Sequence, residues 1–186
     1  MSVSTPFHHL IDALNKLGLS YLVGGSFAST YHGVPRATND ADLLIRIPLS
    51  AIAELARVLG PDFYLDVPFA SECVTQHRSF NILHKATAYK FDLFPAFTPF
   101  HESELDRAVE ATFDFMREPL LCRIATVEDI VLAKLVWYRL GGCVSDRQWS
   151  DITNAIASTE ILDRSYLERW AKELQVSDLL QRVLSD

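Results

Sequence analysis

The length and composition of this chain fit one folded domain, or one domain with a small appendage. Its 186 residues are 49% hydrophobic and 11% aromatic, which is enough apolar material for a sizeable core. The formal net charge of -7 gives no general positive field for a nucleic-acid backbone, although a local basic groove stays compatible with it. The composition therefore favours neither a nucleic-acid coat protein nor a membrane-surface protein.

The sequence also indicates the compartment. The opening MSVSTPFHHLID has no basic region followed by a long apolar run, so we expect no signal peptide. The most apolar segment, IVLAKLVWYRL, contains Lys134 and Arg139 and is too short to span a bilayer. The three cysteines form no closely spaced pair, which is typical of a reducing environment. We expect a cytoplasmic protein with no membrane partner.

The first half of the chain alternates predicted helices and strands. The elements are a helix from Thr5 to Leu17, a strand SYLV, a tight turn at Gly24-Gly25-Ser26, a short helix FASTYH ending at Gly33, a strand ADLLIRI, a helix over Ser50–Leu59, a possible strand DFYLD, and the strand-like runs SFNILH and AYKFDLFP. This alternation predicts an α/β (α+β) fold with a mixed β-sheet.

From about residue 101 the pattern becomes helical, interrupted by a possible strand LLCRIA. Thr126 begins a predicted helix that Gly141 and Gly142 end, and further helical patterns cover roughly residues 146–158 and 163–184. We place a domain boundary near residue 118. It separates a core of residues 1–118 from a C-terminal helical region of residues 119–186 that packs on it.

Two carboxylates, Asp40 and Asp42, lie where a strand is predicted. Side chains at positions i and i+2 of a strand project to the same face, with Cα atoms about 6.5–7 Å apart. Asp92, in the later run KFDLF, joins this pair if the two strands are neighbours. Three converging carboxylates repel one another, and a divalent cation removes that cost. Oxygen ligands without histidine or cysteine suit two Mg²⁺ or Mn²⁺ ions, which activate a hydroxyl and stabilise a leaving pyrophosphate.

A glycine-rich segment precedes the acidic pair. Gly24 and Gly25 let the backbone approach a phosphate, Ser26 offers a hydroxyl, and the following helix points free N–H groups at the anion. Alone, such a segment is most often an ordinary turn, and an Asp-x-Asp pair is most often a solvated loop edge. Together with a third aspartate they predict a site that binds phosphate on one element and metal on another.

These residues resemble the motif of the DNA polymerase β-like nucleotidyltransferase superfamily. In this chain the motif reads VGGS, a 13-residue spacer from Phe27 to Asn39, Asp40-Ala41-Asp42, and the separate Asp92. The spacer is at the long end of the superfamily range. The segments RATNDADLL and TVEDIVLAKLVWYRLGG are similar to a small bacterial branch that includes minimal nucleotidyltransferases and the nucleotidyltransferase toxins of abortive-infection systems.

The resemblance implies roles for these residues. Asp40 and Asp42 would bind both catalytic metal ions, and Asp92 would be the third ligand and a candidate base for the acceptor hydroxyl. Gly24, Gly25 and Ser26 would hold the phosphates of a nucleoside triphosphate. The implied reaction is attack of an acceptor on the α-phosphate, with release of pyrophosphate.

Several cations accompany the acidic residues. Lys134 lies in an apolar helix, where either its stem passes the aromatic side chains to water or its ammonium reaches the triphosphate or a site carboxylate. The related toxins have a functional lysine at a similar place. Arg36 and Thr38 precede the acidic pair as candidate nucleotide contacts, and Arg36 fits an ion pair equally well. Lys90 shares a strand face with Asp92, either as a site residue or as a neutralising neighbour.

Other notable residues have structural interpretations. Asp146, Arg147 and Asp151 lie at a predicted helix start, where acids are favourable in any case. The three tryptophans follow helical patterns and are interpreted as core or interface anchors.

Three hypotheses about function follow. The first is an active nucleotidyltransferase whose acceptor is an RNA end, a protein hydroxyl or a small molecule such as an antibiotic. The second is a non-catalytic binding or regulatory module with a protein partner, as in toxin–antitoxin pairs. The third is a phosphate-handling hydrolase with similar site chemistry.

Overall fold

The protein folds around one mixed β-sheet flanked by helices. The computed structural model describes residues 5–32, 40–115 and 118–185. Its helices are α1 (Pro6–Lys16), α2 (Gly25–Tyr31), α3 (Leu49–Leu59), α4 (Val67–Thr75), α5 (Pro99–Arg107), α6 (Val127–Leu140), α7 (Asp146–Ala157), α8 (Arg164–Glu173) and α9 (Ser177–Ser185). Its strands are β1 (Ser20–Val23), β2 (Asp40–Arg46), β3 (Phe63–Tyr64), β4 (Phe80–His84), β5 (Tyr89–Pro95), β6 (Val109–Phe115) and β7 (Glu118–Ile124).

The strands form a single sheet in the order β3-β4-β5-β2-β1-β7-β6 across the described residues. The central strand β2 pairs antiparallel with β1 and parallel with β5. On the far side, β7 pairs parallel with β1 and antiparallel with β6. The mixed sheet predicted from the alternation of helices and strands is therefore confirmed.

Threonine caps begin two of the helices where the sequence predicted them. The hydroxyl of Thr5 accepts a hydrogen bond from the backbone N–H of His8 at 3.4 Å, and Pro6 follows as the first residue of α1. The hydroxyl of Thr126 accepts from the backbone N–H of Asp129 at 3.3 Å at the start of α6. These caps satisfy N–H groups that have no partner within the helix.

The helical pattern expected from about residue 101 is wrong for residues 109–115. These residues form strand β6, which pairs along its whole length with β7. Pairing with β7 satisfies the backbone hydrogen-bonding groups of VEATFDF. Because the local sequence favours neither helix nor strand strongly, this contact with a neighbouring strand determines its structure. The possible strand LLCRIA is confirmed as part of β7.

Smaller differences occur elsewhere. DFYLD forms a strand only at Phe63–Tyr64, and α4 lies in a segment for which no element was predicted. The helical pattern of residues 163–184 is two helices, because Gln175 between α8 and α9 has a φ of +59° that a continuing helix does not allow. The expected helix end at Gly33 lies outside the described residues.

Two clusters of buried apolar side chains share helix α6. The first fills the sheet and its covering helices and includes Phe7, Leu43 and Ile130. The second lies among α6–α9, with Phe100 of α5, and includes Val131, the neighbour of Ile130 in α6. The division into residues 1–118 and 119–186 stays a prediction, because β7 lies in the sheet and α5 contributes to the second cluster.

A buried polar network ties α5 to α6 and α8. The carboxylate of Asp129, fully buried in α6, accepts from the Tyr166 hydroxyl at 2.5 Å and from the Thr126 hydroxyl at 2.7 Å. Arg107 of α5 lies 3.2 Å from Glu128 and 3.8 Å from Asp129. Burial raises the pKa of Asp129, and these donors oppose the rise. The network therefore connects α5, α6 and α8 through the buried carboxylate of Asp129, which its hydrogen-bond donors and Arg107 stabilise.

Replacing Tyr166→Phe is expected to lower the free energy of unfolding by about 1–3 kcal/mol, because a buried carboxylate loses its short hydrogen bond. Urea titration followed by circular dichroism measures this change. Tyr64→Phe is the matched control, since Tyr64 is half exposed in β3. Equal stability of the two variants would contradict a structural role for the network.

No helix in the described part of the chain is long and apolar enough to cross a membrane.

Candidate active site

The three aspartates meet on adjacent strands of the sheet. In the parallel pairing of β2 with β5, Asp42 lies directly opposite Asp92, and Asp40 lies opposite Lys90. Opposed residues of neighbouring strands project to the same face, as do positions i and i+2 of one strand. The structure therefore places Asp40, Asp42 and Asp92 on one face, at the end of β2 where the strand begins.

The carboxylates act on one another electrostatically. Burial raises the pKa of Asp42, and the charges of Asp40 and Asp92 raise it further, while Lys90 and Lys134 oppose the shift. The Lys90 ammonium lies 2.6 Å from a carboxylate oxygen of Asp92. This ion pair agrees with the interpretation of Lys90 as a neighbour that neutralises the charge of Asp92.

Glycine at position 25 is required by the position of Asp42. Gly25 has a φ of +53°, and a Cβ built there would lie 2.7 Å from Cγ of Asp42 and would collide with the carboxylate oxygen. The N–H of Gly24 donates to the backbone carbonyl of Asp42 at 2.9 Å. The predicted tight turn is wrong in detail, because Gly25 is already the first residue of α2. Absence of a side chain lets this helix begin directly against the Asp42 carboxylate.

Lys134 is paired with an acid of a neighbouring helix. Its ammonium lies 3.2 Å from a carboxylate oxygen of Asp151 in α7, and each side chain is about one-fifth exposed. Its charge also acts on Asp42. Sequence reasoning treated Asp151 only as a favourable acid near a helix start, because nothing in the sequence indicated that α7 packs beside α6.

A cleft of about 940 Å³ opens beside Asp42 and Lys134, whereas Asp40 and Asp92 are not part of its lining. Gly24, Gly25, Ser26, Asp42 and Lys134 line it. Its remaining wall is rich in aromatic side chains, namely Phe94, Phe97, Phe100, Trp137 and Trp170. The same wall contains three acids that sequence reasoning missed: Glu104, Asp129 and Glu173. The volume is in the range of sites that enclose small ligands. Arg36 and Thr38 lie outside the described residues.

The acidic group fits a divalent cation in its donor chemistry. Carboxylate oxygens are the ligands that Mg²⁺ and Mn²⁺ prefer, and a cation would relieve the repulsion that raises the pKa of Asp42. In the side-chain arrangement of the described residues, no three acidic, histidine or cysteine side chains surround a common point. Asp92 is paired with Lys90 instead, so metal binding would exchange this partner.

The chain has the polymerase β-like nucleotidyltransferase fold. It is similar to the crystal structure of ANT(2'')-Ia in complex with adenylyl-2''-tobramycin, with a TM-score of 0.52 and 15% identity over 91% of this chain and 94% of that chain. The solution structure of the same antibiotic-resistance factor has a TM-score of 0.48 and 16% identity over 91% and 93% of the two chains.

A third similar structure is an antigenic nucleotidyltransferase-like protein from Paracoccidioides brasiliensis, with a TM-score of 0.47 and 16% identity over 85% of this chain and 78% of that chain. No protein-family model matches the sequence, and no curated protein matches it.

Proposed function

We propose that this protein transfers a nucleotidyl group from a nucleoside triphosphate to an acceptor hydroxyl, with release of pyrophosphate. The position of Asp42 carries the proposal. Asp42 lies opposite Asp92 on parallel strands, Gly25 lies against the Asp42 carboxylate, and Asp42 lines the cleft. The fold supports it, and ANT(2'')-Ia, which shares the fold, has been crystallised with adenylyl-2''-tobramycin.

The acidic residues would hold the metal ions. Asp40 and Asp42 are assigned as ligands of both divalent cations and Asp92 as the third ligand. When bound, Mg²⁺ or Mn²⁺ would neutralise charge that develops on the phosphates. We assign Asp92 to accept the proton of the acceptor hydroxyl, since its carboxylate lies directly opposite Asp42 on the neighbouring strand.

Other residues would position the triphosphate. Gly24, Gly25 and Ser26 lie beside Asp42 in the cleft and would contact phosphate oxygens. Arg36 and Thr38 are proposed as further contacts from the segment that leads to β2. These groups bind and orient the phosphates, so that an acceptor in the cleft attacks the α-phosphate in line.

The function is tested with triphosphate labelled at the α-phosphate, Mg²⁺ or Mn²⁺, and three acceptor pools: RNA, protein, and hydroxylated small molecules including aminoglycosides. Transfer of label with release of pyrophosphate supports the proposal. Orthophosphate release without transfer identifies a hydrolase. Absence of both triphosphate binding and transfer overturns it.

The Lys90–Asp92 ion pair favours one alternative, a non-catalytic module that binds a protein partner. If Lys90 permanently neutralises Asp92, it would take over the charge compensation that a metal ion provides in the proposed reaction. Such a protein would be recovered with a specific partner from its native lysate and would bind triphosphate equally with Mg²⁺ and with a chelator. A metal requirement for triphosphate binding would exclude this alternative.

Lys134→Met is expected to weaken triphosphate binding by about ten- to a hundredfold, because it removes the ammonium group that would contact the phosphates from the cleft wall. Asp151→Asn is the matched control, since it breaks the same ion pair from the other side. Isothermal titration calorimetry measures the affinities, and thermal unfolding measures stability. A purely structural ion pair would give both variants the same loss of stability and leave both affinities unchanged.

A further inference from the structure

Glu104 has a buried carboxyl that the proposed reaction does not use. It lies on α5, its residue is only 7% exposed, and it lines the same cleft as Gly25 and Asp42. Within residues 5–32, 40–115 and 118–185, no hydrogen bond or ion pair reaches its side-chain oxygens, although its backbone carbonyl accepts from Ala108. Buried carboxyl groups are normally paired, so an unpaired one at a cleft wall indicates a ligand contact.

The surroundings of this carboxyl are apolar and aromatic. Phe100 precedes Glu104 by one helical turn, and its ring lies 5.2 Å from the ring of Trp170 at an angle of 60°. Elsewhere in the cleft lining, Phe97 stacks on His77 with centroids 4.5 Å apart and planes inclined by 4°. Rings around a cleft provide faces on which a flat heteroaromatic group packs.

Burial, with a nearby acid, determines the protonation of Glu104. Burial, and secondarily the charge of Asp129 on α6, raise its pKa to about 9. The other titratable groups on the cleft wall come from β2, the end of α4, and helices α5, α6 and α8: Asp42, His77, His101, Lys134 and Glu173. At pH 7 the carboxyl therefore carries a proton, and the ionised form is only about one part in a hundred.

We propose that the neutral carboxyl of Glu104 hydrogen-bonds the edge of the nucleotide base, with the base packed among the aromatic rings of the cleft. This inference rests on the proposed function, because it assigns the triphosphate to the Gly25–Asp42 end of the same cavity. A neutral carboxyl presents an O–H donor beside a C=O acceptor, which matches a ring nitrogen beside an amino group, as in adenine.

A cationic ligand is the less favourable occupant. A cation would need the ionised carboxyl, which at pH 7 weakens its binding about a hundredfold relative to pH values above the pKa of Glu104. The two ligand chemistries therefore give opposite pH dependences. The ionised carboxylate has only acceptors and repels the bare ring nitrogen of adenine.

The test compares a non-hydrolysable ATP analogue with methyl triphosphate, which has the three phosphates and no base, in the presence of Mg²⁺ from pH 7 to 10. The ratio of their affinities removes every titration that acts on the phosphates alone. In the unmodified protein this ratio is expected to fall about tenfold per pH unit above pH 9, as Glu104 ionises.

Three variants make the test specific. Glu104→Gln keeps a donor beside an acceptor and does not titrate, so its ratio stays constant with pH and near the neutral value of the unmodified protein. Glu104→Leu lowers ATP affinity about tenfold at pH 7 and leaves methyl triphosphate unaffected. Glu102→Gln, on the same helix but ion-paired with Arg46 at the surface, keeps the original pH profile.

Different failures have different meanings. Triphosphate binding in which neither pH nor Glu104→Gln changes the ratio overturns this inference and leaves the proposed function standing. A ratio that rises toward pH 9 also overturns it, because the neutral carboxyl would then not be the form that binds the base. If neither probe binds at any pH, the proposed function fails as well. The comparison in the unmodified protein needs no variant, so a folding defect in Glu104→Leu does not remove the test.

Discussion

Asp42→Asn is expected to abolish nucleotidyl transfer and at the same time to stabilise the folded chain. The loss of activity, about a thousandfold or more, follows if the carboxylate is the central metal ligand, since it corresponds to about 4 kcal/mol of activation free energy. The gain of stability follows from the environment of the side chain. Burial and the charges of Asp40 and Asp92 make the ionised form unfavourable, which is why the pKa of Asp42 is raised.

The pH dependence of stability gives an independent measurement. A carboxyl whose folded pKa is raised contributes stability below its unfolded pKa, which is near 3.8, and this contribution is lost as the pH rises through the folded value. Asp42→Asn should therefore flatten the dependence of unfolding free energy on pH above about 4. Urea titrations at a series of pH values measure this, and transfer of α-labelled nucleotide measures the activity.

Asp106→Asn is the control for this variant, because Asp106 is a largely exposed acid on α5. It should change neither activity nor stability. A fall in stability for Asp42→Asn would mean that the carboxylate is structural, held by its contacts with α2. Retained activity would remove Asp42 from the proposed site.

The sequence made part of this site predictable because that part is local. A strand, a glycine pair, a short helix and a second strand follow one another from residue 20 to residue 46, and the order of residue types identifies them. The position of Asp92 depends instead on β5 lying beside β2 in one particular register. A shift by one residue would turn its side chain to the opposite face, and nothing in either strand alone excludes that shift.

The remaining features depend on packing between distant segments. Glu104 lies in a helix that sequence reasoning did not separate from β6, so its burial in the cleft wall was not foreseeable. Lys134 stood out in an apolar helix, but its partner Asp151 is set by how α7 packs beside α6. The mispredicted strand β6 has the same origin, because its partner β7 determines its structure.

Gly25→Ala is expected to impair both folding and nucleotidyl transfer, for two separable reasons. An alanine at a φ of +53° costs about 1–2 kcal/mol, since its Cβ crowds its own backbone in the left-handed region. The same Cβ would lie 2.7 Å from Cγ of Asp42, so either α2 or the carboxylate must move. Forcing an atom into a packed site costs about 1–3 kcal/mol more.

Gly18→Ala separates these contributions. Gly18 has a φ of +63°, yet a Cβ there meets nothing within 4 Å, so this variant has the backbone cost without the collision. The difference in unfolding free energy between the two variants then measures the contact of residue 25 with Asp42. Because that contact fixes the carboxylate, Gly25→Ala should also lower transfer about a hundredfold at saturating triphosphate while Gly18→Ala leaves it unchanged. Equal effects of the two alanines would mean that only the backbone conformation requires glycine at position 25, and that the proposed metal ligand is held by other contacts.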